Sequence, residues 1–204
     1  DNMKKYIAVI LFSFAFIQSC SLYQTYVNLT RLKFKMGIIN NINVAGIKVD
    51  GKSRISDFSP MDAVKFTSQF SKGSLPVNLT INVEAKNPND GTGGYKRTDA
   101  SITSLPFRFL LDGKEIVSGN LGNAVNVPGS GEIVNIPIQI SFDLVSMFKN
   151  KGYESLINLM LQISGNGGRS SSVEVYVQPT VSTVLGKITY PNEIKLVVME
   201  FKDK

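Results

Sequence analysis

The sequence contains no histidine, and Cys20 is its only cysteine. Histidine is the usual general base, a common zinc ligand and the partner of the nucleophile in most catalytic triads, so its absence excludes those arrangements. A single thiol also excludes a disulfide within the chain. The acidic residues are scattered singly, without the Asp-x-Asp-x-Asp spacing of a calcium loop. The sequence therefore predicts no catalytic residue, no metal site and no cofactor.

Clusters of basic residues are also missing, although the chain carries a formal net charge of +6 at pH 7. Lysine and arginine are dispersed, and aromatic side chains are not interleaved with them as stacking platforms for bases. Nucleic acid is therefore not expected as a partner. A modest positive charge suits attraction to anionic lipid headgroups better.

The first twenty residues have the organisation of a secretory signal. Lys4 and Lys5 precede an apolar run at 6–16, which is too short to cross a bilayer comfortably. The next four residues, Ile17-Gln18-Ser19-Cys20, resemble the lipobox of bacterial lipoproteins, in which the cysteine thiol is acylated and begins the mature chain. The alternative interpretation of Cys20 is an ordinary buried thiol that follows a membrane anchor.

We therefore predict a signal peptide at 1–19, lipidation at Cys20 and a tether at 20–28. Acyl chains contribute about 0.8 kcal/mol per buried methylene, so two or three long chains make the attachment effectively permanent. The residues after Cys20 lack the acidic run that resembles a surface-export signal in some bacteria. The expected location is the bacterial cell envelope, at the outer membrane and facing the periplasm.

The rest of the chain is dominated by strand patterns. Apolar and polar residues alternate from Pro76 to Lys86 and again at 133–144, as in strands with one buried face. Pro137 cannot donate a ladder hydrogen bond, which predicts an edge position or a bulge there. Asp112-Gly113 predicts a hairpin turn between two further strands. Shorter strands are predicted around Val125–Val127, Val173–Val177 and Ile194–Val198.

Two segments have helical spacing instead. Ser59-Pro60 begins the first, with Ala63, Val64, Phe66 and Phe70 as its apolar residues and Gly73 as its end. The second, at 153–163, repeats apolar residues at i, i+3, i+4 and i+7. Both helices are expected to cover the ends or one side of a β-sandwich.

The strand that ends at Lys86 leads directly into Asn87-Pro88-Asn89. This combination resembles the signature of the LEA14-like domain, the late-embryogenesis-abundant type 2 or water-stress-and-hypersensitive-response family, and the resemblance extends over about residues 75–145. It implies a mainly β, fibronectin-type-III-like or immunoglobulin-like sandwich at 29–204, with one or two short covering helices. The family is linked to stress tolerance without enzymatic activity. Asn87, Pro88 and Asn89 themselves predict a structural turn that ends a strand.

Basic and apolar residues alternate just before this domain. Arg31, Lys33 and Lys35 share one side of a predicted strand, and Leu32, Phe34 and Met36 the other. The basic side could lie against anionic headgroups, at roughly 1 kcal/mol per charge. The alternative is an ordinary solvated strand face.

These features favour a non-catalytic, membrane-tethered envelope lipoprotein that acts by binding. Its role would be stress protection or that of an accessory subunit in an envelope complex, so its partners would be the membrane and envelope proteins. The first alternative is a periplasmic carrier of a lipid or other apolar ligand, with helix 153–163 lining the pocket. A surface-exposed adhesin or receptor module is the second.

Overall fold

The computed structural model describes residues 27–28, 31–92, 96–165, 173–183 and 186–196. Its strands form three antiparallel four-stranded sheets. The first sheet contains β1 (Lys33–Val44), β2 (Ile47–Lys48), β3 (Pro76–Lys86) and β8 (Ile133–Asp143), in the order β2-β1-β3-β8. The second contains β4 (Ala100–Ser104), β7 (Val125–Val127), β10 (Thr180–Thr183) and β11 (Gly186–Thr189), in the order β11-β10-β4-β7. The third contains β5 (Phe107–Leu111), β6 (Lys114–Gly119), β9 (Val173–Val177) and β12 (Ile194–Leu196), in the order β12-β9-β5-β6.

The long pair β3 and β8 is the centre of the first sheet. Its register runs without a break from Pro76 opposite Asp143 to Lys86 opposite Ile133. The alternating side of β3 that the sequence predicts as apolar is buried along its whole length. Since β8 is an edge strand, the edge position predicted from Pro137 is confirmed.

The neighbouring strand β1 carries two bulges against β3, one between Met36 and Ile39 and one between Asn40 and Asn43. At the second bulge Asn41 has a φ of 53°, a left-handed conformation that asparagine tolerates better than most residues. Bulges disrupt the regular hydrogen-bond ladder, and at the first bulge a side-chain amide of β3 bonds to one of the main-chain oxygens of β1. Asn82 Nδ2 donates to the main-chain oxygen of Ile38 at 3.0 Å.

The hairpin between β5 and β6 turns at Asp112 and Gly113, whose φ values are 55° and 74°. Two successive positive φ values are those of a type I′ turn, as the Asp-Gly dipeptide predicts. The strands predicted at Val173–Val177 and at Ile194 are also present, although Val198 lies outside the described residues.

Besides the helical residues 27–28, three α-helices accompany the sheets in the described part of the chain: α1 (Pro60–Ser71), α2 (Leu144–Met147) and α3 (Tyr153–Gly165). A 3-10 turn at Ile55–Asp57 precedes α1. Ser59 caps α1 as predicted, because Asp62 N donates to Ser59 Oγ at 3.2 Å and Ser59 N donates to Asp62 Oδ2 at 3.1 Å.

The strand predicted at 133–144 ends one residue earlier, at Asp143. The physical reason is a cap, since Asp143 Oδ1 accepts from Ser146 N at 3.0 Å and thereby starts α2. Asp143 Oδ2 accepts from Leu75 N at 3.0 Å, so the same carboxylate also fixes the start of β3.

All three sheets and α3 share one hydrophobic core. Phe66, Phe109, Ile81, Ile136 and Leu156 are among its largest fully buried side chains. The predicted fold class, a mainly β sandwich with short helices, is confirmed. One detail of α1 differs from the prediction: Phe66 is buried, but Val64 is 63% exposed.

Candidate functional site

The Asn-Pro-Asn turn at the end of β3 is part of a buried, hydrogen-bonded polar cluster. The side chain of Asn87 is fully buried, and its Nδ2 donates to the main-chain oxygens of Thr98 at 2.9 Å and Val127 at 3.0 Å. Its Oδ1 accepts from Asn89 N at 3.2 Å and from Asn89 Nδ2 at 2.8 Å. Asn87 therefore uses both donors and both lone pairs of its amide.

The turn also binds the segment that precedes β1. Asn89 is 2% exposed, and its Nδ2 donates to the main-chain oxygen of Asn28 at 2.8 Å. Asn28 Nδ2 in turn donates to Thr98 Oγ1 at 3.1 Å. The contact between Asn89 and Asn28 joins residues 61 positions apart. It fixes the point at which the N-terminal segment reaches the sandwich.

Gly129 lets a third segment approach the turn. A Cβ atom on this residue would lie 2.5 Å from Asn89 O and 2.6 Å from Thr98 O, closer than any side chain can come. Gly129 N donates to Asp99 Oδ1 at 2.8 Å, and Gly131 N donates to Asn87 O at 3.0 Å. Glycine is required at position 129 because the three chain segments meet there at backbone distance.

Arg31, Lys33 and Lys35, the three basic residues singled out in the sequence, lie beside this turn and are all half-buried. Lys35 Nζ lies 2.9 Å from Glu84 Oε2 on the neighbouring strand, and Arg31 Nη2 donates to Pro88 O at 3.5 Å. Lys33 stands opposite Lys86 in the register. Their role at a lipid surface stays a prediction.

The opposite side of the same segment is apolar, as the alternation indicates. Leu32 and Met36 are buried, and Phe34 packs edge-on against Tyr190 with ring centroids 6.1 Å apart. The burial of Tyr190 raises the pKa of its hydroxyl. The start of β1 is therefore held to the domain by apolar packing as well as by polar contacts.

Cys20 lies outside the described residues, as do the signal peptide predicted at 1–19 and most of the tether at 20–28. The lipidation site and these boundaries remain predictions. None of the described helices is both long enough and apolar enough to cross a bilayer.

The acidic side chains of the described residues do not form a metal site, since no three of them, alone or with other ligand types, come together. Where the pKa of a described carboxyl group departs from its ordinary value, it is lowered. The groups concerned are Asp57, Asp62, Asp90, Glu174 and Glu193.

The cause in each case is hydrogen bonding. For Glu193 it is Arg108, whose Nε donates to Glu193 Oε1 at 2.9 Å; for Asp90 it is Thr92, whose Oγ1 donates to Asp90 Oδ1 at 2.7 Å. These carboxylates are ionised at neutral pH, as ordinary carboxylates are, and the lowered pKa extends ionisation to lower pH. A carboxyl group that serves as a general acid needs the opposite shift.

Helix α3, which would line the pocket of an apolar carrier, turns its apolar side into the core. Leu156, Ile157, Met160 and Ile163 are all buried there.

Thr98 and Gly129 are essential parts of the polar cluster around the Asn-Pro-Asn turn, and the sequence did not predict their role there. The glycine-containing turn at 128–131 is visible in the sequence, but its close approach to Asn89 is not.

No family model and no curated protein matches the chain. Among solved structures, the chain is similar to a crystal structure of a protein from Archaeoglobus fulgidus, with 8% identity over 83% of this chain and 97% of that chain and a TM-score of 0.32. It is also similar to a solution structure of a protein described as late embryogenesis abundant, with 14% identity over 95% and 87% of the two chains and a TM-score of 0.36. A solution structure from Arabidopsis thaliana has 16% identity over 83% and 87% and a TM-score of 0.33. Likenesses at this level establish neither a family nor a function.

Proposed function

We propose that this chain is a bacterial envelope lipoprotein whose LEA14-like sandwich is tethered through acylated Cys20 and acts by binding, without catalysis. It would serve in stress protection or as an accessory subunit of an envelope complex. Its place would be the periplasmic side of the outer membrane.

One hydrogen bond in the structure supports the proposal. The Asn-Pro-Asn turn, on which the LEA14-like resemblance depends, donates from Asn89 Nδ2 to Asn28 O. Asn28 is the last residue of the predicted tether. A chain pulled from Cys20 would therefore transmit its load to a buried turn that is hydrogen-bonded to Thr98 and Val127, instead of to an exposed strand end.

The non-catalytic part of the proposal has chemical support. The chain has no histidine, its one thiol would be acylated, and the shifted carboxyl groups of the described residues are held in the ionised form. A hydrolytic activity that disappears on deletion and returns with purified protein would contradict this part.

The tether is tested by feeding cells a fatty acid that carries a chemical tag and by fractionating their membranes. The unaltered protein is expected to carry the tag and to sediment with the outer membrane, whereas Cys20→Ala should do neither. Ser21→Ala is the matched control, because it alters the adjacent residue and keeps the thiol. A tag that persists in Cys20→Ala would contradict the proposal.

A further inference from the structure

Helix α1 carries apolar side chains that are exposed in the described part of the chain. Met61 is 65% exposed and Val64 is 63% exposed, and Ile55 in the preceding 3-10 turn is 39% exposed. The other side of the helix is packed, since Phe66 is buried and lies edge-on to Phe58 with ring centroids 5.1 Å apart. We call Ile55, Met61 and Val64 the α1 patch.

Basic residues accompany the α1 patch. Met61 and Val64 share their helix face with exposed Lys65, which follows Met61 at i+4, and exposed Lys72 is the C-cap residue of the same helix. Residues 52–72 contain four basic side chains and two acidic ones, a net charge of +2: Lys52, Arg54, Lys65 and Lys72 against Asp57 and Asp62.

Both acids of this segment are engaged in capping. Asp57 Oδ2 accepts from Ser53 N at 2.9 Å and Arg54 N at 3.0 Å. Asp62 forms the capping box of α1, where its charge faces the positive end of the helix dipole. Lys65 is close enough to Asp62 for its charge to help lower the pKa of that carboxyl group. The net charge of +2 that remains on residues 52–72 is complementary to an external anion.

The size of the α1 patch distinguishes between a protein partner and a bilayer surface. It consists of three partly exposed apolar side chains, which is an ordinary extent for the surface of a monomer. A stable protein interface needs about 800 Å² from each partner. A second copy would also bring one basic rim against another. A bilayer surface requires neither large area nor shape complementarity, and lysine can keep its ammonium group among headgroups while its stem lies on apolar surface.

We propose that the α1 patch is a docking surface for an anionic lipid bilayer, with Met61 and Val64 at the acyl boundary and Lys65 and Lys72 among the headgroups. This inference rests on the proposed tether, because an acyl anchor makes docking intramolecular and lets a weak contact be occupied. The 11 residues of β3 span about 36 Å between the α1 side of the sheet and the Asn-Pro-Asn turn. Docking would thus add a second membrane contact to that of the tether.

The test uses the full acylated chain, which has no other thiol once Cys20 is modified. Met61→Cys is labelled with an environment-sensitive fluorophore. Ile38→Cys is the matched control, since Ile38 is 59% exposed but lies on the first sheet. Each protein is added to vesicles of equal parts phosphatidylethanolamine and phosphatidylglycerol that contain a nitroxide lipid. Fluorescence quenching reports contact of the probe with lipid, and vesicle flotation reports attachment of the protein.

The probe at position 61 is expected to be quenched several-fold more strongly than the probe at position 38. Adding Lys65→Glu and Lys72→Glu should remove that difference, whereas Lys149→Glu and Lys187→Glu should keep it. Equal quenching of the two probes on floating vesicles would overturn docking and leave the tether intact. Quenching at position 61 without flotation would support docking and contradict the tether, and the loss of both signals would overturn both.

Discussion

Replacing Asn87 with alanine is expected to be one of the most destabilising single changes in the domain. The substitution removes four hydrogen bonds from a fully buried amide. It leaves the main-chain oxygens of Thr98 and Val127 without this donor and the amide of Asn89 without its acceptor. Each buried polar group that loses its partner costs about 1–3 kcal/mol.

Since some of these groups can relax toward water, we expect Asn87→Ala to lower the free energy of unfolding by about 3 kcal/mol. In a domain of this size that corresponds to a fall of roughly 6–12 °C in Tm. Thermal and urea unfolding followed by circular dichroism measure both quantities. The control is Asn78→Ala, on the exposed side of β3, where the amide has one side-chain partner, Ser141. A loss no larger than that of Asn78→Ala would refute the reasoning.

Three further substitutions, at a glycine, a carboxylate and a proline, test other parts of the structure. Gly129→Ala, whose Cβ would collide with Asn89 O, should destabilise the fold by about 2 kcal/mol or more, while Gly122→Ala, with open space around it, should be nearly neutral in the same unfolding assay. Hydrogen bonding lowers the pKa of Asp62 below 3.8, so its contribution to stability should be present above that pH and vanish as pH falls through the lowered pKa. Asp62→Asn should accordingly destabilise the protein at pH 7 and converge with the unaltered protein in acid, and a constant difference would contradict this. Pro137→Val restores a donor on an edge strand, so it should promote concentration-dependent association in sedimentation velocity with little change in Tm.

The local sequence pattern was sufficient to predict the elements that have one buried face. The alternation of β3 predicts its bounds because a slip of one residue would expose every apolar side chain. Asp112-Gly113 and the Ser59 cap are likewise decided by neighbouring residues alone. The end of β8 differs from the prediction by one residue because the carboxylate of Asp143 caps α2. The alternation of apolar and polar residues contains no information about this cap.

The sequence predicts the position of the Asn-Pro-Asn turn but not the contacts that its side chains make. Asn87 reaches Thr98 across 11 residues and Val127 across 40, contacts that depend on how the sheets are arranged. The same limitation applies to Lys35, whose ion pair with Glu84 arises only because β1 and β3 are neighbours. Helical spacing identifies Val64 as apolar, but whether another element covers it is a matter of tertiary packing.

The most direct test of the central claim is the mass of the N-terminal peptide of protein extracted from bacterial membranes. We predict a peptide that begins at Cys20 and carries a diacylglyceryl group on the thiol, which detergent extraction preserves. A peptide that includes residues 1–19, or one with an unmodified Cys20 thiol, would contradict the account.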